Sequence, residues 1–270
     1  MKSKFLNFVG ITLFGIAAYA GVALNASTTH SAAPATSVVA PAHMEIPARL
    51  SGVPEQILSH TGFTVSFNRT KLQANWVAWE LTAAETEGAT ERSNKFIPDP
   101  QLPYDQQVVT KDYVKSGYDR GHMCPAADMH WSPRAMVECF YLSNICPQVP
   151  SLNRASWATL EKNCRKWAKA EGAVYIVCGP VFKAGRHATI GVLHSIPVPD
   201  GFYKVVLSLR RGHEKAIGFY YSNIAAKQSM DATATTVDAI ERMTGINFFP
   251  ALPDAQENKL ESRSNLDAWE

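Results

Sequence analysis

The sequence has no Cys-x-x-Cys pair: its five cysteines, Cys124, Cys139, Cys146, Cys164 and Cys178, stand well apart, which counts against a zinc knuckle. It has almost no excess of charge either. The 26 lysines and arginines face 24 acids, and Lys2 and Lys4 at the extreme N-terminus supply the whole difference. An overall basic field that would draw in a polyanion is therefore excluded, and any phosphate has to be met by a local cluster of cations. No internal repeat is visible. With 46% hydrophobic residues in 270, the chain is not of the disordered class and has enough apolar side chains for a real core, in one large domain or two small ones.

The one long apolar run lies at the start. Lys2 and Lys4 precede apolar residues from Phe5 to about Ala17, followed by Ala18-Tyr19-Ala20, the small-x-small pattern of a signal-peptidase site. An export signal over residues 1–20 is expected, with the product in a bacterial periplasm or outside the cell. An uncleaved anchor to about residue 26 stays open, because apolar character continues to Leu24. Residues 21–48, small, proline-containing and nearly uncharged from Ser27 on, read as a linker. The polar residues 256–270 read as a frayed tail, leaving a domain over 49–255. An exported chain can form disulfides; the odd cysteine count leaves at least one thiol free, and the pairing is not legible.

Within that domain, residues 64–69 (TVSFNR) and 76–82 (WVAWELT) are β-rich runs separated by turn residues and predict a hairpin. Ser132 and Pro133 supply a cap and a first helical position for a short helix, and residues 140–143 are expected to be a strand. Between Asn153 and Glu171, Trp157, Leu160, Cys164, Trp167 and Ala168 recur at helical spacing, and Gly172 provides a stop. Strands are expected at 174–178, 203–210 and 215–221, the last two joined through 211–214. A final helix should run from a Thr235/Asp238 capping pair to Gly245. Strands gather around helices without a regular βαβ alternation, so the class is α+β.

The densest chemistry is Tyr118-Asp119-Arg120-Gly121-His122-Met123-Cys124-Pro125, an acid, a guanidinium and an imidazole around one glycine. Phosphodiester hydrolysis needs such a set: a base for water, a cation for the charge building on phosphorus, and a group to hold the imidazole. Further on, Asn153, Trp157, Glu161 and Arg165 recur at intervals of four and form one slowly rotating stripe that could face a metal. Mg²⁺ prefers oxygen ligands and sheds water reluctantly, so a single amide oxygen can suffice when a substrate supplies the rest. Five cations face two acids between Asn153 and Glu171, which suits either a phosphate-facing surface or a solvated one.

Together with Phe140-Tyr-Leu-Ser-Asn144-Ile-Cys-Pro-Gln148 and Ser151-Leu-Asn153-Arg-Ala-Ser-Trp157-Ala-Thr-Leu-Glu161, this stretch resembles the DNA/RNA non-specific endonuclease family, which includes secreted bacterial nucleases and mitochondrial endonuclease G. The likeness extends through residues 75–82 and 241–253. It implies a ββα-metal (His-Me finger) fold with a central, mainly antiparallel sheet flanked by helices. It also implies cleavage of DNA and RNA to 5′-phosphate ends with a single Mg²⁺, or Mn²⁺ in its place. By the same resemblance His122 is the general base, Asn153 the protein ligand of the metal, Asn144 a polar support, and Glu161 a partner of metal-bound water. Arg120, Arg165 and, in a looser match, Arg92 contact phosphate. The likeness implies no stable protein partner and leaves a homodimer open.

Each residue also has a plainer role. Asp119 and Arg120 form an ordinary ion pair, Asn153 caps its helix, Glu161 and Arg165 pair on the surface, and Trp157 and Trp167 belong to the core. Cys124 stands where the family has a small apolar residue, so a thiol hydrolase using Cys124 and His122 is a competing enzyme. A nucleic-acid-binding protein without catalysis on the same scaffold is the competing non-enzyme.

Overall fold

The computed structural model of the protein describes residues 43–270. The expected export signal and most of the expected linker lie outside them. The chain enters through β1 (Gln56–Ser59), β2 (Thr64–Asn68) and β3 (Gln73–Thr82). After a long irregular stretch come β4 (Asp119–His122), α1 (Pro133–Glu138), β5 (Ile145–Gln148) and α2 (Ala158–Glu171). Then follow β6 (Ala173–Val181), the two-residue strands β7 (Thr189–Ile190) and β8 (Ile196–Pro197), β9 (Gly201–Ser208) and β10 (Lys215–Ser222). The chain closes with α3 (Met230–Thr233), β11 (Ala234–Thr235), α4 (Val237–Thr244) and α5 (Asp254–Glu261). The class is α+β, as expected.

Seven strands form one antiparallel sheet in the order β1-β2-β3-β6-β9-β10-β11. Its inner strands are apolar on both faces, and alternate side chains feed two separate cores. Val77, Trp79, Ile176, Cys178, Phe202 and Val206 pack with Leu160, Cys164 and Trp167 of α2 on one side. Trp76, Ala78, Val177, Tyr203 and Val205 pack with Val237, Ile240, Phe248 and Phe249 on the other. The sheet is thus a septum between α2 and the β4–β5 ribbon on one face and α4 on the other. No helix among the described residues is long and apolar enough to cross a membrane.

The hairpin, the short helix capped by Ser132 and the stop at Gly172 form as expected. Four expectations change. Residues 140–143 are not a strand: Leu142–Asn144 curl into a 3₁₀ turn, because the Asn144 amide is tied to backbone on two neighbouring segments, and the strand begins at Ile145. The helix expected to be the last, α4, is followed by α5 and is capped by Thr236, whose hydroxyl accepts from Ala239 N, while Thr235 pairs with Gly218 in the sheet. The long helix opens before Asn153, through a π-helical turn at Leu152–Trp157.

Finally, the packed region extends past both expected boundaries. Met44 is buried, and Ala48 N donates to Asn247 O. At the other end α5 forms, and Trp269 is only 5% exposed, its ring 4.9 Å from that of Trp167. Lys215 Nζ, which donates to Glu171 (2.7 Å), also donates to Ala268 O (2.6 Å) and fastens that end down. Polar composition hid one large aromatic anchor. Trp269→Ala is therefore expected to cost about 3 kcal/mol, read as a lower urea midpoint with unchanged slope.

Candidate active site

β4 and β5 pair antiparallel, setting Asp119 opposite Gln148, Arg120 opposite Pro147, Gly121 opposite Cys146 and His122 opposite Ile145. The chain then turns at once into the π-helical segment and α2. Alternation along β4 sorts its side chains: Arg120 and His122 share one face, Asp119 and Gly121 the other. Gly121 is needed because a Cβ there would strike the side chain of Gln148.

On the first face, the His122 ring lies between two phenylalanines, 4.8 Å edge-on to Phe140 and 5.3 Å from Phe96. Each of these rings carries an arginine. The Arg120 guanidinium sits 4.3 Å over Phe96 and that of Arg92 5.0 Å over Phe140. Burial, then Arg92 and Arg120, hold His122 down at about 3, so the imidazole is neutral at ordinary pH. It is 8% exposed, and its Nε2 is buried with no hydrogen-bond partner. A neutral ring with an unspent nitrogen between two cations can take a proton beside an anion.

On the second face, Asp119 does not pair with Arg120. Its carboxylate accepts from Arg154 Nε (2.8 Å) and NH2 (2.6 Å) and from Asn153 Nδ2 (2.9 Å). Asn153 is not a helix cap, since its own N–H donates to Val149 O (3.0 Å). With its NH₂ held by Asp119, its carbonyl oxygen is turned away from that contact and has no donor among the described residues. That is the arrangement an oxygen-preferring cation needs, so the residues present fit a Mg²⁺ held by one protein ligand.

Asn144 accepts from Cys124 N (2.9 Å) and donates to Cys124 O (2.9 Å) and Cys139 O (2.8 Å). It joins the segment after β4 to the end of α1 and holds the loop behind His122. Arg165 and Glu161 do not pair with each other on the surface. Arg165, 22% exposed, donates to Asp128 Oδ1 (2.8 Å), and Asp128 Oδ2 accepts from Trp79 Nε1 (3.1 Å). Asp128 is pushed up by burial, against the pull of Arg165. Glu161 is pushed up to about 7 by burial, opposed by Lys204, with Asp128 adding to the rise. Lys204, 1% exposed, lies 4.8 Å from the rings of both Trp79 and Trp157. Burial works against its charge, but Cys178, Cys164, Glu161 and Asp128 outweigh that and keep it above the ordinary lysine value.

Sequence reasoning missed Asp128 and Lys204 because nothing in their neighbours marks a buried charge. It quoted Gln148 without a role, yet both amide atoms of this residue are buried and unpartnered beside Gly121. Asp119 was visible, but its partners were not. The thiol reading fails: Cys124 is wholly buried, its thiol is pushed far up by that burial, and all five cysteines are free. Trp157 and Trp167 are core residues.

Two outcomes follow from this geometry. Lys204→Met leaves Asp128 and Glu161 with one cation fewer and should lower stability by about 3 kcal/mol in a denaturant titration. His122 titrates near 6.5 in an unfolded chain and about 3 here, so between those values the unfolded state binds the extra proton. Its contribution to stability is therefore complete above about pH 6.5 and lost progressively down to about 3. His122→Gln should flatten the fall of Tm between pH 6.5 and 4 seen by calorimetry.

Both the sequence and the fold are similar to those of known nucleases. The chain is 34% identical to a mitochondrial nuclease EXOG of Xenopus laevis over 73% of its own length, and spans 58% of that relative. It is 34% identical to nuclease C1 of Cunninghamella echinulata var. echinulata, over 74% of this chain and 85% of that one. A crystal structure of an EndoG/EndoGI complex superposes with a TM-score of 0.71 at 29% identity, over 76% of this chain and 91% of that one. The DNA/RNA non-specific endonuclease family, which is metal-dependent, matches residues 41–255. The chain belongs to that family.

Proposed function

We propose that the protein is an exported nuclease that hydrolyses phosphodiester bonds of DNA and RNA without sequence preference, using a divalent cation and His122. The observation that carries this reading is the neutral imidazole between two arginines, on the same short strand as the carboxylate that orients Asn153.

In this reading Arg92 and Arg120 take the phosphate oxygens. Neutralised by that anion, they cease to depress His122, and the ring becomes a better base at the moment substrate is bound. His122 removes a proton from water, and the hydroxide formed attacks phosphorus, leaving a 5′-phosphate. Asn153 Oδ1 would hold a Mg²⁺, with Glu161 accepting hydrogen bonds from water around it. An ion held there would supply the charge that polarises the phosphoryl group and stabilises the departing 3′ oxygen. Arg165 spends one N–H on Asp128 and keeps the rest of its fork for phosphate. Contacts of this kind carry no sequence information, which supports low specificity. Export rests on the N-terminal pattern of lysines, apolar run and Ala18-Tyr19-Ala20.

The test compares wild type with His122→Ala on plasmid DNA and total RNA, with Mg²⁺ and with EDTA. Wild type should degrade both substrates only with metal, and the variant should lose at least about 10²-fold in rate while remaining folded at the assay temperature by circular dichroism. Metal-independent cutting or normal cutting by His122→Ala would overturn the mechanism; binding without cutting would make the protein a binder. Arg120→Ala should weaken cleavage of every sequence alike and reduce the slope of log rate against log salt by about 1.

A further inference from the structure

Beyond the nuclease site, and across the sheet from α2, α4 and α5 bring four carboxyl groups together. Asp238 and Glu241 lie one turn apart on α4, and Glu257 and Glu261 one turn apart on α5. Asp238, Glu241 and Glu261 each present a carboxylate oxygen within 4.8 Å of the other two. None of the ion pairs among the described residues includes any of the four. Arg242 acts on Glu241 from an exposed position. One Glu241 oxygen accepts from Phe248 N (2.8 Å).

Glu261 is the telling member. It is 4% exposed and directed into the cluster, and its Oε1 is buried without a hydrogen-bond partner, as is Oε1 of Glu257. Buried carboxylates are ordinarily paired, hydrogen-bonded or bound to a metal. Here acids face acids, so the partner still missing is a cation.

We propose that Asp238, Glu241 and Glu261 form a second divalent-cation site, suited to Ca²⁺, that fastens α5 to α4. The donor set is all oxygen, with no histidine or cysteine, which disfavours zinc and copper. The three oxygens lie within 4.8 Å of one another, and a small side-chain adjustment to about 4.2 Å lets one ion sit roughly 2.4 Å from each, the Ca²⁺–oxygen distance, whereas Mg²⁺ demands about 2.1 Å, closer oxygens and near-ideal octahedral geometry. Glu257 completes the field from the same helix. The site is structural: it lies on the face of the sheet opposite α2, beside the core that holds Ile240 and Leu260, and it ties down the helix that leads toward the Trp269 anchor.

The test uses the full chain and its Asp238→Asn/Glu261→Gln variant, each with saturating Mg²⁺, and follows Tm as CaCl₂ is added. Wild type should gain about 5 °C saturably, while the variant gains nothing. In EDTA the variant should melt no lower than wild type, because neutral amides relieve the repulsion. Its plasmid cleavage with Mg²⁺ should match wild type. An unchanged wild-type Tm, or an equal gain in both proteins, would overturn the proposal. Since the decisive reading is a melting temperature, it stands or falls independently of whether the chain cuts nucleic acid.

Discussion

One carboxylate, that of Asp119, joins the two halves of the candidate active site. It lies on β4 three residues before His122, and it accepts two bonds from Arg154 and one from Asn153 at the opening of the long helix. The strand that carries the candidate base and the helix that carries the candidate metal ligand are thereby locked in one register. Charge makes the lock firm, since a forked guanidinium on a carboxylate fixes angle as well as distance. Arg154 balances Asp119 and holds its carboxyl below the ordinary range once the cost of burial is met.

A second constraint is the burial of charge against the sheet. Lys204 projects from β9 into the core that also holds α2, an expensive position for an ammonium group. Two indole faces and the carboxyls of Asp128 and Glu161 compensate it, and Asp128 in turn binds Arg165. The result is a chain of alternating charges from the sheet interior to the partly exposed face of α2. It gives Glu161 and Arg165 fixed surroundings, and it explains why Arg165 reaches inward and not toward its helical neighbour. On the opposite face, the four acids between α4 and α5 have no ion-pair partner among the described residues, so they stand out.

Much of the fold followed from local pattern. The hairpin of residues 64–82, the β9–β10 pair and the helix ending at Gly172 each obey a period that needs no distant partner. Errors came where a distant partner decides. Residues 140–143 are apolar enough for a strand, but the Asn144 amide bonds backbone near Cys124 and Cys139 and bends the chain. The polar C-terminus looked free until Trp269 met Trp167, about a hundred residues away in sequence.

By itself, the sequence determined the α+β class, and it singled out the stretch from Asp119 to His122 and the stripe of Asn153, Glu161 and Arg165 as the candidate site. The class follows from the pattern of strands and helices, and the candidate site from residue type and spacing together with the family resemblance. Only the tertiary structure decided the state of each group: His122 neutral between Arg92 and Arg120, Asn153 turned by Asp119, Arg165 claimed by Asp128, and Lys204 buried beside them. The reason is physical. Protonation and orientation depend on burial and on charges that come close only when remote segments pack, and no local spacing encodes those distances.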